Sequence, residues 1–75
     1  VASTDEKRWL KRLGENTRRM RVEKGLTQQR LAELANLDLR TIQRIEAGDF
    51  NVLLTTFNRV RRALASSWEP LVPKE

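Results

Sequence analysis

Arg40, Gln43 and Arg44 fall within one short stretch of chain, and at about 100° per residue of helix they share a side with Ala47, with Leu39 at the leading edge. Arginine can donate two hydrogen bonds to guanine O6 and N7, glutamine can pair with adenine N6 and N7, and leucine can meet a thymine methyl. These residue types on one side of one helix are suited to reading base edges in the major groove of duplex DNA. Periodicity alone does not separate that role from a solvated surface, because the same residues also make an ordinary wet helix face.

Side chains can be aimed in this way only by a helix whose other side is held down. Ile42 and Ile45 point opposite to the arginines, flanked by Thr41 and Glu46. Asp38 is placed to cap this helix, which runs over 39–47 and stops at Gly48. Upstream, Thr27 caps another helix whose inward residues are Leu31, Ala32, Leu34 and Ala35. That helix ends at Asn36, the non-glycine type best suited to positive φ. A turn of about four residues, Asn36 to Leu39, sets two short helices at a steep angle, the helix-turn-helix arrangement.

The remaining elements supply the body. Ser3 with Glu6 fits a capping box for a first helix, and Asp5 and Glu6 favour its positive end. Trp9, Leu13, Thr17 and Met20 share one of its faces, with Leu10 beside them, and Gly25 stops it after Lys24. Beyond a loop from Asp49 to Leu53, the spacing of Leu54, Phe57, Val60 and Leu64 predicts a fourth helix. Ser67 opens a fifth, short one that contains Trp68 and Leu71, with Pro70 in its first turn and Pro73 at its end. The pattern predicts an all-α, compact five-helix domain. Residues 1–12 extend the first helix, 13–72 form the helix-turn-helix domain with its motif at 27–48, and 73–75 are a tail.

Composition narrows the chemistry. The 75 residues suffice for one small core. There is no cysteine and no histidine, which removes disulfides, the usual zinc ligands and the commonest nucleophiles and general bases. No enzyme, metal or cofactor is expected. No apolar run approaches the roughly 20 residues of a membrane span, so no membrane partner is expected, and a cytoplasmic location fits. The formal net charge of +5 points to a polyanionic partner.

The run Leu26-Thr27-Gln28-Gln29-Arg30-Leu31-Ala32-Glu33-Leu34-Ala35, followed by Ile42-Gln43-Arg44-Ile45-Glu46-Ala47-Gly48, resembles the Cro and phage-repressor family, also called the Xre family. The likeness extends from about Leu13 to Leu71, taking in Leu13-Gly14-Glu15 and Arg59, Arg62, Ala63 and Leu64. It implies a phage-repressor-like fold and a sequence-specific transcriptional regulator, bacterial or phage-encoded, that binds an operator in double-stranded DNA. It also implies that Leu39, Arg40, Gln43 and Arg44 face bases, with Arg44 able to serve a phosphate instead. Thr27, Gln28 and Ala47 would meet phosphate, and Gln28 often braces a recognition-helix side chain. Arg21 and Glu46 align with a structural ion pair. A single recognition helix buries little area, so a homodimer is expected, at least on DNA. Trp68, Leu71, Val72 and Phe57 would supply a dimer patch or close the monomer core.

The sequence departs from the family pattern at several points. Asn36 stands for the turn glycine, Thr17 for an aliphatic residue and Asp38 for a serine or threonine cap. The loop after Gly48 carries Asp49 and Phe50 in place of a basic residue, and Phe50 would pack on the body or mark a partner surface. This keeps a second reading open, a protein-interaction module such as an antitoxin or bridging factor. Many basic residues, Lys7, Arg8, Lys11, Arg12, Arg18, Arg19, Arg21 and Lys24, crowd the first helix, and only one or two are expected to touch DNA. Arg59, Arg61 and Arg62 are expected to lie mostly away from the groove.

Overall fold

The computed structural model describes residues 3–49 and 51–74; Phe50, with either role expected of it, lies outside the described residues. The elements are α1 (Thr4–Glu23), α2 (Gln28–Ala35), α3 (Leu39–Ala47) and α4 (Leu54–Ala63). Three of the helices start on a side-chain cap. Glu6 N donates to Ser3 Oγ at 3.1 Å while Ser3 N donates to Glu6 Oε1 at 2.8 Å, the reciprocal pair of a capping box. Thr27 Oγ1 accepts from Arg30 N at 3.0 Å and starts α2. Asp38 Oδ1 accepts from Thr41 N at 2.7 Å and starts α3.

All four helices end in the same way. One amide reaches back three residues and the next reaches back five: Gly25 to Val22 and Leu26 to Arg21, Asn36 to Glu33 and Leu37 to Ala32, Gly48 to Ile45 and Asp49 to Arg44, Ala65 to Arg62 and Ser66 to Arg61. This doubled bond satisfies carbonyls that a helix end leaves open, and it needs a left-handed residue at the turn. Gly25, Asn36, Gly48 and Ala65 take that conformation, with φ of 72°, 56°, 70° and 53°.

The expected fifth helix is absent among the described residues, which hold four. Beyond Ser67 the chain closes one turn only, with the amides of Leu71 and Val72 both donating to the Trp68 carbonyl at 3.0 and 2.9 Å. Pro70 has no N–H to add, and Pro73 arrives before a second turn can form. The turn still completes the core: Leu71 is fully buried, and its carbonyl accepts from Asn16 Nδ2 at 3.0 Å.

That core gathers Leu13 of α1, Leu31, Ala32 and Ala35 of α2, Ile42 and Ile45 of α3, and Phe57, Val60, Leu64 and Leu71. Leu34, expected inward, is 45% exposed, and Leu54, the first residue of the apolar spacing of α4, is 72% exposed. Each sits about 90–100° around its helix from the mean direction of its buried neighbours, outside the apolar stripe. Thr17 is buried, and its hydroxyl donates to the Leu13 carbonyl at 2.8 Å, so no polar atom is stranded there.

The packing of α1 on α3 is set by two glycines. A Cβ on Gly14 would lie 2.4 Å from the Ile45 carbonyl oxygen and 2.5 Å from that of Glu46. A Cβ on Gly48 would lie 2.5 Å from the Lys11 Cα. The backbones of α1 and the end of α3 therefore touch with no side chain between them. Gly14→Ala should cost about 2–3 kcal/mol, because the added methyl meets rigid backbone. Its urea midpoint is expected to fall well below that of wild type, although alanine is the better helix former.

Candidate nucleic-acid interface

Burial of Ile42 and Ile45 fixes the rotation of α3 about its axis. With that side sealed, Arg40, Gln43, Arg44 and Ala47 are exposed and Leu39 is half-buried. Thr27 is exposed and Gln28 half-buried at the start of α2. The two helix starts are close in sequence but unlike in charge: a neutral hydroxyl caps α2 and a carboxylate caps α3. Hydrogen bonding from Thr41 holds the Asp38 carboxyl below its ordinary value of 3.8. On the outward side of α2, Gln29 and Arg30 both bond Glu33, at 3.3 and 3.2 Å, and hold its carboxyl below the usual range.

A buried polar cluster ties the motif to the body. Arg21 Nε donates to Glu46 Oε2 at 2.7 Å and Nη2 to Oε1 at 3.2 Å. The third arm, Nη1, donates to the Leu26 carbonyl at 2.8 Å, just ahead of α2. Gln28 Nε2 donates to the same Glu46 Oε1 at 3.1 Å. The Glu46 and Arg21 side chains keep only 4% and 12% of their exposure. One carboxylate thus joins α1, the start of α2 and the end of α3.

Two contacts here were not readable from the sequence. Arg59 of α4 donates through Nε to the Ala35 carbonyl at 3.1 Å and through Nη2 to that of Asn36, closing over the turn between α2 and α3. Its partners are more than twenty residues away, so no local spacing announces them. The second is the near approach at Gly14, and here a signal existed: a glycine inside a helical period is costly and needs a packing reason. In the loop, Asp49 Oδ1 lies 3.6 Å from Arg44 Nε, with both side chains about half exposed. No helix among the described residues is long and apolar enough to cross a membrane.

The cluster and the cap each carry a test. Glu46→Ala leaves the Arg21 charge buried, and a loss of about 3–5 kcal/mol is expected in chemical denaturation, against a much smaller loss when Arg21 and Glu46 are both replaced by apolar residues of similar volume. The depressed Asp38 pKa means that its cap contributes above the ordinary carboxylate value and is lost as pH falls through the lower folded value. Asp38→Asn keeps a capping oxygen without that titration. The difference in Tm between the two proteins should therefore change on acidification below about pH 4 and stay constant above pH 5.

The helix-turn-helix family model HTH_3 matches residues 18–71. The structure is similar to the restriction-modification controller protein C.AhdI from Aeromonas hydrophila, at TM-score 0.79 and 34% identity over 83% of this chain and 94% of that one. It is similar to the clp gene regulator ClgR from C. glutamicum, at TM-score 0.79 and 27% identity over 84% and 82%. It is also similar to the hypothetical transcription factor NHTF from Neisseria, at TM-score 0.81 and 28% identity over 97% and 85%. No curated protein matches the chain.

Proposed function

The chain belongs to the HTH_3 helix-turn-helix family of Xre-type DNA-binding transcription regulators, and from that premise we propose that it reads a specific operator as a homodimer, with α3 in the major groove. The observation that carries this reading is the two-sidedness of α3: Ile42 and Ile45 are sealed in the core while Arg40, Gln43 and Arg44 are exposed beside Leu39. These four residues contact bases, and Thr27, Gln28 and Ala47 contact phosphate. The amide of Gln28 spends one N–H on Glu46 and retains a second N–H and its oxygen. Gln28 therefore braces the end of α3 and meets the backbone at once. The Arg44–Asp49 contact is long and wet, so a guanine edge can replace it at little cost. Similarity to a restriction-modification controller and to a clp gene regulator supports operator occupancy, which blocks or recruits polymerase, as the mode of action.

The test compares Arg40→Ala and Arg44→Ala on the sequence selected from random DNA and on scrambled duplex. An arginine bidentate to guanine should lose about 1–3 kcal/mol on the selected site and relax preference at one base position. Gln28→Ala should weaken both duplexes by similar factors, because phosphate carries no sequence information directly. If both arginine variants keep the wild-type ratio between the two duplexes, α3 does not read bases, and a protein-interaction module becomes the better account.

A further inference from the structure

We propose that Lys7 and Lys11 of α1 form a phosphate clamp at the C-terminal end of α3; this rests on the duplex-binding reading above. The stretch from Lys7 to Lys24 carries eight basic residues, and the structure divides them. Arg8 lies 3.6 Å from the Asp5 carboxylate, Arg12 donates to the Lys74 carbonyl, Arg19 donates to Asn16 and Arg21 is locked on Glu46. Lys7 and Lys11 are exposed and make no side-chain hydrogen bond or ion pair with another described residue. Their ammonium groups are therefore available to an anion.

Position along α1 separates them from Arg18 and Lys24, because Arg18 shares their side but lies beyond Gly14, away from Gly48. Lys7, Lys11, Gly14 and Arg21 recur at steps of four, three and seven, so they line one side of α1. Gly14 and Arg21 on that side touch the Ile45 and Glu46 carbonyls and the Glu46 carboxylate. Lys11 continues the line to the point where its backbone meets Gly48, the residue that ends α3, and Lys7 stands one turn further on.

Electrostatics supplies the need. The C-terminal end of α3 presents the negative pole of its dipole, and Asp49 adds a carboxylate beside it. The described residues of the following loop, Asn51 to Leu53, bring no cation. A duplex seated on α3 carries its phosphates past both ends of that helix. At the far end they meet that pole and Asp49, whose contact with Arg44 is given up when Arg44 turns to a guanine, and the two lysines supply the positive charge there.

The experiment measures affinity for the selected and scrambled duplexes across a salt series, for wild type, Lys7→Ala, Lys11→Ala and the double variant, with Arg62→Ala on α4 as a control of equal charge. The slope of log K against log salt should fall by about 1 for each lysine removed and about 2 for the pair, with equal loss on both duplexes. Both sites are exposed on a helix, so Tm should hold. A wild-type protein with no salt-dependent duplex binding would overturn the functional reading itself. A steep wild-type slope that survives in the double variant overturns the clamp alone, and so does an Arg62→Ala slope that falls as much as that of Lys11→Ala.

Discussion

The bidentate contact of Arg21 with Glu46 decides how α3 is held. Salt bridges on a wet surface contribute little, but this one is nearly sealed and each partner has further bonds. Arg21 also donates to the Leu26 carbonyl and Glu46 also accepts from Gln28. Desolvating two charges is expensive, and only a site in which the remaining donors and acceptors are occupied can tolerate it. The result is a fixed distance between the end of α3 and the start of α2.

Other contacts remove the freedom that this cluster leaves. Gly14 and Gly48 bring α1 against the backbone of α3 so closely that a single added Cβ would meet carbonyl or Cα atoms. Arg59 reaches from α4 onto the last carbonyls of α2 and the turn, where unsatisfied acceptors and the negative helix pole favour a cation. On the exposed side of α3, Arg44 lies at a longer distance from Asp49. The side chains there are aimed chiefly by the burial of Ile42 and Ile45 on the opposite side of the helix.

The features legible in the sequence were those fixed by neighbours a few residues apart. Ser3, Thr27 and Asp38 were identified as caps, and Gly25, Asn36 and Gly48 as stops, because each acts through hydrogen bonds within one turn. The outward set on α3 was legible because a nine-residue helix with two isoleucines has one way to turn. What could not be read depends on distance in space. The inward placement of Leu34 failed because several apolar residues on a short helix span more arc than the core can cover. The fifth helix failed because two prolines within four residues leave room for one turn only. Arg59 was expected to lie mostly away from the groove, and its closing of the turn between α2 and α3 is set by partners on another helix.

Ala65 gives the fourth helix end a different character from the other three. Glycine or asparagine enters the left-handed region at little cost, whereas alanine crowds its Cβ against the following carbonyl, by roughly 1–2 kcal/mol. The first three stops are thus encoded where they occur, and the fourth is imposed from outside. Arg61 holds the Ser66 carbonyl and lies over the Trp68 ring, while Asn16 and the core hold Leu71. Release of those holds removes the reason for the turn, so local opening of the segment after Ala63 is governed by its docking onto α1 and α4. In terms of partial unfolding, the turn is tied to the common core through Leu64 and Leu71, and its opening would uncover apolar surface that the helix-turn-helix shares.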